Sequence, residues 1–275
     1  KPNMTPLVDT PLTSLRHLEA DVPSVKRTLE STWAVSEAEV RAAQALRYAV
    51  FRMELGADLP AAALASMLDA DHFDAFCDHL LVWSWHPQEK ADRQLVGTYR
   101  VLPPDAAKRL GGLYIDQEFD LAPLDPLRGR MIELGRACVH ADWRSGGVIL
   151  MLWNALGRYM VQHGFETMVG CCSMGVADGG AFASSLWYTL RSNRLAEPQW
   201  NVKPRIPLAL RELDGDRASI PLRDMPPLIK GYLRGGAAVL GPPAYDASFH
   251  TADFPIMMRT AAMAPRYRAH FLHSI

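Results

Sequence analysis

The sequence predicts an α/β fold in which helices flank a mixed β-sheet. Apolar segments of strand length alternate with segments of helical length along most of the chain, an order typical of a sheet covered by helices. The chain has 275 residues, of which 49% are hydrophobic and 21% are charged. These values are ordinary for a globular protein with a substantial buried core.

Charge and hydropathy argue against several classes of function. The formal net charge is -1, so no nucleic-acid partner is expected. The longest apolar run, residues 148–153, is too short to cross a bilayer. Residues 1–13 are polar and lack the apolar centre of a signal peptide. We therefore expect a cytoplasmic protein that is soluble or attached only peripherally to a membrane.

Cysteine and histidine usage gives no metal or disulfide pattern. The cysteines form no C-x-x-C pair, and the histidines do not have the spacing of a metal site. We expect buried, reduced thiols and no bound metal. The four cysteines are Cys77, Cys138, Cys171 and Cys172.

The predicted elements begin after an irregular N-terminal arm, residues 1–35. Ser36 followed by Glu39 forms a capping box, which predicts a helix to about residue 55, with Gly56 beyond its end. The further elements of a core at residues 36–210 are, in order, a hairpin of strands at 79–83 and 94–102, a helix at 105–110, a strand at 131–140, a helix at 148–163, a strand at 166–173, a helix at 177–190 and a strand at 201–210. Residues 211–275 are expected to form a C-terminal extension packed on this core.

The stretch at residues 131–157 is the strongest candidate for chemistry. A strand that carries Glu133 and Arg136 leads through a polar turn with two glycines into a helix. Free N–H groups at a helix N-terminus can hold an anion or a polarised carbonyl, and Glu133 could accept a proton. The alternative is a surface turn between two core elements.

Charged residues on two other segments could bind a ligand or support the fold. Arg47 and Phe51 share one stripe of the first helix, so the arginine either lies along the surface or faces a ligand. Asp71 and Asp74 precede the hairpin. They form a solvated turn, a site for a cationic substrate, or ion pairs with Arg47 and Arg100.

Five spaced motifs occur in one order along the chain. They are RYAVFRMELG at 47–56, Asp71-x-x-Asp74, VGTYR at 96–100, Glu133-Leu134-Gly135-Arg136-x-Cys138-Val139 and Phe249-His250-Thr251-x-Asp253. Together they resemble the bacterial ornithine lipid N-acyltransferases, hemolysin-like members of the GNAT acyltransferase fold, over about residues 36–273. A weaker likeness is to acyl-homoserine lactone synthases. The resemblance implies a mixed, mostly antiparallel sheet flanked by helices.

The resemblance implies an enzyme that moves a 3-hydroxyacyl chain from acyl carrier protein to the α-amine of ornithine, giving lyso-ornithine lipid. It implies no permanently bound cofactor, because the 4'-phosphopantetheine of the carrier protein brings the acyl group. Glu133 would accept the proton of the attacking amine. Backbone N–H groups around Cys138 and Val139 would stabilise the oxyanion. The amine would attack the thioester directly, so no acyl-enzyme is required.

The resemblance also implies an acceptor site and an acyl tunnel. Arg47 and Arg100 would hold the carboxylate of the acceptor, and two aspartates would hold its side-chain ammonium. The alternative for these four charges is a structural ion-pair network that shapes the pocket. The acceptor-binding set is Arg47, Phe51, Asp71, Asp74, Arg100 and Arg136, and the tunnel set, for which core packing is the alternative, is Leu150, Trp153, Met174, Phe182 and Trp187.

The expected donor site is the loop of Arg144, Ser145, Gly146 and Gly147. Enzymes of this fold that use coenzyme A carry a Q/R-x-x-G-x-G/A loop, whereas this chain has Ile149 at the last position. The departure suits a carrier-protein donor, whose phosphopantetheine ends in one phosphate. Acidic carrier protein would dock on residues 191–234, which contain nine basic and five acidic residues. Anionic lipid headgroups at the inner membrane, or solvent alone, are the alternatives for this face.

Two rival functions stay open. An acyl-homoserine lactone synthase would share the donor and most site residues, and it would use S-adenosylmethionine as the acceptor. A non-catalytic, membrane-associated protein is the second rival, as the hemolysin-like label suggests. Lysine, glutamine and glycine are alternatives to ornithine as the acceptor.

Overall fold

A computed structural model of the chain describes residues 27–144, 146–212, 220–263 and 265–272. Most of the predicted arm, residues 1–26, therefore lies outside the described residues. The same is true of Ser145 in the predicted donor loop and of Arg217 in the predicted basic face.

The strands form two sheets, which confirms the predicted mixed, mostly antiparallel arrangement. The strands are β1 (Thr28–Trp33), β2 (Asp78–His86), β3 (Glu89–Leu102), β4 (Phe119–Asp120), β5 (Met131–Val139), β6 (Thr167–Gly175), β7 (Lys203–Pro204), β8 (Ala238–Val239), β9 (Ala244–Asp246) and β10 (Thr251–Arg259). The main sheet has the order β1-β2-β3-β5-β6-β10-β8, with β9 paired to β10, and β4 pairs with β7 in a small second sheet. In the main sheet, the described pairings are antiparallel except that of β5 with β6.

The helices begin with the one that the capping box predicts. They are α1 (Glu37–Tyr48), α2 (Ala61–Ser66), α3 (Pro104–Leu110), α4 (Gly147–His163), α5 (Ala181–Asn193), α6 (Pro227–Gly235) and α7 (Pro265–Leu272). Ser36 Oγ accepts a hydrogen bond from Glu39 N at 3.3 Å, and Glu39 Oε2 accepts one from Val35 N at 2.9 Å. A π-helical turn, Ala49–Glu54, continues α1. None of the described helices is long and apolar enough to cross a membrane.

Three segments differ from their predicted structure or add to it. The predicted arm contains β1, whose six residues are too few to show a sustained period in the sequence. The continuous strand predicted at 201–210 is wrong. Lys203–Pro204 joins a ladder and Pro207 forms only an isolated bridge with Ala244, because Pro204 and Pro207 lack the N–H groups that a continuous ladder needs. The predicted C-terminal extension supplies β8, β9 and β10 to the main sheet, and α7 lies against α4. The predicted boundary at residues 210 and 211 stays a prediction.

β5 and β6 part from each other near the centre of the main sheet. They pair in parallel only from Met131 with Thr167 to Glu133 with Val169. Beyond these residues, β5 stays paired with β3, and β6 stays paired with β10 as far as Gly175. A gap, the splay, therefore opens between the C-terminal parts of β5 and β6.

Successive residues of a strand point to opposite faces, so the main sheet packs on two sides. On the α4 face, Val101 and Ile132 share a core cluster with Leu152 of α4. On the loop face, Leu102 and Met131 pack against the segments that connect β3 and β5. Neighbouring residues of one strand thus face different surroundings at the splay.

Candidate active site

A cavity of about 900 Å³ passes through the sheet at the splay. Glu133 and Leu134 are neighbours on β5 and point to opposite faces, yet both line this cavity. The same is true of Tyr99 and Arg100 on β3. The cavity therefore reaches both the loop face and the α4 face.

Glu133 is buried on the loop face, where the splay begins. Its two oxygens accept hydrogen bonds from the backbone N–H groups of Tyr114 and Ile115, at 2.7 and 2.8 Å. Burial raises the pKa of Glu133 to about 7, although these two N–H groups oppose the rise. A carboxyl group with this pKa can accept and release a proton near neutral pH. The side chain also anchors the turn at Tyr114, so its predicted catalytic role stays a prediction.

Arg136 enters the cavity from an irregularity in the β3–β5 ladder. The register shifts between Thr98 and Arg100, and Arg136 has a left-handed φ of 52°, which is uncommon for a non-glycine residue. The guanidinium lies 5.0 Å from the ring centroid of Tyr114 and 4.7 Å from that of Phe249. The backbone and the two rings thus hold a cation at the cavity wall.

Arg136 belongs to a buried ion-pair network of three arginines and three aspartates. Its members are Arg47, Asp69, Asp71, Asp74, Arg100 and Arg136. Arg47 is 1% exposed, and its three guanidinium nitrogens donate to Asp69 and Asp74. Arg100 Nη1 donates to Asp71 Oδ1 at 2.6 Å and to Asp74 Oδ1 at 2.9 Å. Although burial opposes it, these arginines hold the pKa of Asp74 well below its usual range.

Two observations favour the structural alternative for the innermost members of this network. Its three positive and three negative charges balance, and these members do not line the cavity. Arg100 and Arg136 line the cavity, whereas Arg47, Asp71 and Asp74 are not among its lining residues. The predicted acceptor-binding roles of Arg47, Asp71 and Asp74 stay predictions.

Three further carboxylates form an acidic wall on the loop face: Glu118, Asp246 and Asp253. The last two line the cavity, and Cys171 Sγ donates to Glu118 Oε2 at 3.2 Å. Burial, together with the charge of Asp253, raises the pKa of Glu118 to about 8, and burial also raises the pKa of Asp253. Ligand atoms of Glu118, Cys171 and Asp253 lie within 4.8 Å of one another. The group could therefore hold a cation, either an ammonium or a metal ion, and the predicted lack of a metal stays a prediction.

The part of the cavity on the α4 face is more apolar. Leu134 and Leu228 line it together with Tyr99 and Tyr232, whose hydroxyl groups hydrogen-bond to each other. Leu134 and Tyr232 also line a narrow apolar pocket of about 30 Å³ beside Trp153. This side offers surface for a hydrocarbon chain.

Val139 turns its backbone donor toward the splay. His140 N donates to Val96 O at 2.9 Å, and donors alternate between the two sides of a strand in an antiparallel ladder. The N–H of Val139 therefore points away from β3. Its carbonyl points the same way, because it accepts a hydrogen bond from Arg144 Nε at 3.1 Å.

The predicted donor loop lies at the start of α4. Gly146 has a φ of 107° and gives α4 no side-chain cap, so the N–H groups of the first turn, from Gly147 onward, can bind an anion. Arg144 forms an ion pair with Glu54. The predicted donor loop thus connects the end of β5, where the Val139 N–H points into the splay, with the N-terminus of α4.

Comparison with known proteins decides the family. Residues 46–154 match the family described as "Acetyltransferase (GNAT) domain". The chain is 40% identical to the L-ornithine N(alpha)-acyltransferase of Rhodobacter capsulatus over 242 residues, which cover 86% of this chain and 92% of that protein. The chain belongs to the L-ornithine N(alpha)-acyltransferase family.

A second relative agrees with this membership. The L-ornithine N(alpha)-acyltransferase of Agrobacterium fabrum is 36% identical, over 89% of this chain and 85% of that protein. Among solved structures, the AHL synthase LasI has a TM-score of 0.47 and 12% identity, over 91% of this chain and 97% of that chain. The family comparison confirms the resemblance found in the sequence motifs, the GNAT fold and an acyltransferase activity.

The structure brings together some of the predicted site residues and separates others. Phe51, Arg100, Glu133 and Arg136 line the cavity. Burial raises the pKa of the Cys138 thiol to about 12, so the thiol itself stays protonated near neutral pH.

The predicted tunnel residues have several different surroundings. Trp153 lines the narrow apolar pocket, and Leu150 is 51% exposed on α4. Met174 and Trp187 belong to a core cluster that includes α6, and Phe182 packs against it. Of these five described residues, none lines the main cavity, and the tunnel stays a prediction.

The acidic wall and the tyrosine pair were not predicted from the sequence. Asp253 belongs to a family motif, and it precedes the apolar run of β10; a buried charge beside an apolar run is a usable signal. Glu118 gives no local signal, because its neighbours Cys171 and Asp253 are distant in sequence. Tyr99 and Tyr232 likewise meet only in the folded chain.

Proposed function

We propose that the chain transfers a 3-hydroxyacyl group from the phosphopantetheine of acyl carrier protein to the α-amine of ornithine, giving lyso-ornithine lipid. The observation that carries this proposal is the cavity at the splay, which is charged on one face of the sheet and more apolar on the other. The names of the relatives, L-ornithine N(alpha)-acyltransferase, support ornithine as the acceptor.

The loop face suits a zwitterion that carries an additional cation. Arg100 and Arg136 line the cavity and would bind the acceptor carboxylate, with Phe51 at the same wall. The acidic wall would bind the side-chain ammonium. Since the pKa of Glu118 is raised to about 8, ammonium binding would displace a proton from this wall at neutral pH.

Glu133 would act as the general base at the centre of the cavity. The α-amine must lose a proton as its nitrogen forms a bond to the thioester carbon, and Glu133 could take this proton directly or through water. The carbon–sulfur bond then breaks, and the proton neutralises the departing thiolate. The Val139 N–H would stabilise the oxyanion that forms in between.

The donor would approach from the start of α4. The free N–H groups after Gly146 and the cation of Arg144 would hold the single phosphate of phosphopantetheine. The described part of residues 191–234 would offer a docking face to an acidic carrier protein, since Arg191, Arg194 and Arg205 are exposed there. The product has a hydrocarbon chain, so a peripheral position at the inner face of the inner membrane would suit its release.

A mass-spectrometric end-point assay tests the proposal. The protein is incubated with 3-hydroxyacyl carrier protein and, in parallel, with ornithine, lysine, glutamine, glycine or S-adenosylmethionine. We expect N-acyl-ornithine as the main product. An acyl-homoserine lactone from S-adenosylmethionine alone, or no product from folded protein with any acceptor, would overturn the proposal.

A further inference from the structure

Two tyrosine hydroxyls meet in the more apolar part of the cavity. Tyr99 lies on β3 and Tyr232 on α6, and both line the cavity. Their hydroxyl groups hydrogen-bond to each other. The surroundings include Leu134, the Cys172 thiol and the indole of Trp153, whose ring centroid lies 5.6 Å from that of Tyr232. Polar atoms in such surroundings need partners.

The pair contains more hydrogen-bonding capacity than it uses. Each phenol carries one proton and can also accept hydrogen bonds. The bond between Tyr99 and Tyr232 uses one of the two protons, and the described residues provide no acceptor for the other. Burial raises the pKa of both groups, so both protons stay in place at neutral pH. One donor is therefore left for a molecule in the cavity.

The pair lies close to the place where the thioester would react. The neighbours of Tyr99 on β3, Thr98 and Arg100, pair with Cys138 and Gly135 of β5. Tyr99 is thus opposite the irregular part of β5 that carries Arg136, one strand away from the free N–H of Val139. A substituent on the third carbon of an acyl chain is only two carbons from the thioester carbonyl.

We propose that the hydroxyl pair of Tyr99 and Tyr232 recognises the hydroxyl group of the acyl chain and makes the enzyme select hydroxylated donors. This inference depends on the proposed acyl transfer to ornithine. A 3-hydroxyl group accepts the spare phenolic proton and donates its own to a phenolic oxygen, so the two phenols and the added hydroxyl all have partners. An unsubstituted chain places a methylene group there and leaves the buried proton without an acceptor.

The alternative is that the pair only ties α6 to β3. In that case the two hydroxyls affect stability, and hydroxylated and plain donors react at similar rates. A ratio of rates for two donors separates the two roles, because loss of a structural tie lowers both rates together.

The test compares 3-hydroxyhexadecanoyl and hexadecanoyl carrier protein as donors to ornithine, by kcat/KM. We expect the wild-type protein to favour the hydroxylated donor by about tenfold or more, since a buried donor without a partner is costly. In the Tyr99→Phe/Tyr232→Phe double variant we expect this ratio to fall to about one, mainly through slower use of the hydroxylated donor. Each single variant should keep part of the preference, because one phenol remains.

Tyr188→Phe is the matched control, because Tyr188 lies on α5 outside the cavity and its hydroxyl donates to Arg211 O. Its ratio should equal the wild-type ratio. An active wild-type protein without donor preference would overturn the inference and leave the proposed function standing. A double variant that keeps the full preference for the hydroxylated donor would also overturn the inference and leave the proposed function standing. Folded wild-type protein that transfers neither chain to ornithine would overturn the proposed function itself.

Discussion

Two clusters of buried charge lie on the loop face and differ in how their charges are balanced. In the ion-pair network, three arginines meet three aspartates. In the acidic wall, Glu118 and Asp253 lie beside the Cys171 thiol, and burial and the charge of Asp253 dominate the titration of Glu118. A balanced cluster can support the fold by itself, whereas an unbalanced one needs a proton or a cation. We infer that the innermost members of the network shape the site and that the wall binds the side-chain ammonium of the acceptor.

The largest expected effect comes from removing an arginine from the network. Arg47→Ala leaves Asp69 and Asp74 buried without their main cation, and we expect the free energy of unfolding to fall by about 3–5 kcal/mol. Urea denaturation followed by circular dichroism measures this loss.

Arg130→Ala provides the control, because it removes an ion pair with Glu166 in which both side chains are more than half exposed. Its loss should stay within about 1 kcal/mol. Equal small losses in the two variants would mean that the network does not support the fold.

Glu133 is a further buried carboxyl group on the same face as the network and the acidic wall, and burial raises its pKa to about 7. We expect Glu133→Gln to lower turnover about a hundredfold or more by removing the base. The amide also turns one N–H donor toward a backbone N–H, which lowers the free energy of unfolding by about 1–2 kcal/mol. Initial rates and a denaturation curve on the same sample separate the two effects.

The pH dependence distinguishes a base from an anchor. The base is active when ionised, so the wild-type rate should rise with pH through about 7. Stability should change in the opposite sense, because a raised carboxyl pKa stabilises the protonated fold and this contribution is lost as the pH rises through about 7. Glu133→Gln should remove the rise in rate and the contribution of Glu133 to the loss of stability, while the contribution of Glu118, whose pKa is raised to about 8, remains. A variant that keeps the rise in rate near pH 7 would assign that titration to another group.

Local sequence patterns predicted much of the fold. The capping box at Ser36 and the motif containing Glu133 and Arg136 gave the first helix and the central strand, because caps and strand composition act over a few residues. The strand predicted at 201–210 failed because Pro204 and Pro207 cannot donate to a ladder. The parallel pairing of β5 with β6, and the splay after it, depend on contacts between distant segments.

The site was predictable only where one motif carried it. Glu133 and Arg136 lie on one strand and line the cavity, as does Arg100. Whether Asp74 meets a substrate or an arginine depends on Arg47 and Arg100, which come from two other elements. Folding brings these charges together, so the sequence left both possibilities open.

The most direct test of whether the acidic wall binds the side-chain ammonium uses two acceptors that differ by one charge. Norvaline has the carbon chain of ornithine without the side-chain amine. We expect the wild-type protein to favour ornithine in kcat/KM, and the Glu118→Gln/Asp253→Asn variant to lose about 10- to 100-fold of that preference through a higher KM for ornithine.

Asp120→Asn is the matched control, because Asp120 lies exposed on β4, two residues after Glu118, and its preference should not change. The account predicts that the double variant still uses norvaline as well as the wild-type protein does. An unchanged preference in that variant, or an equal loss for both acceptors with a lower melting temperature, would contradict it.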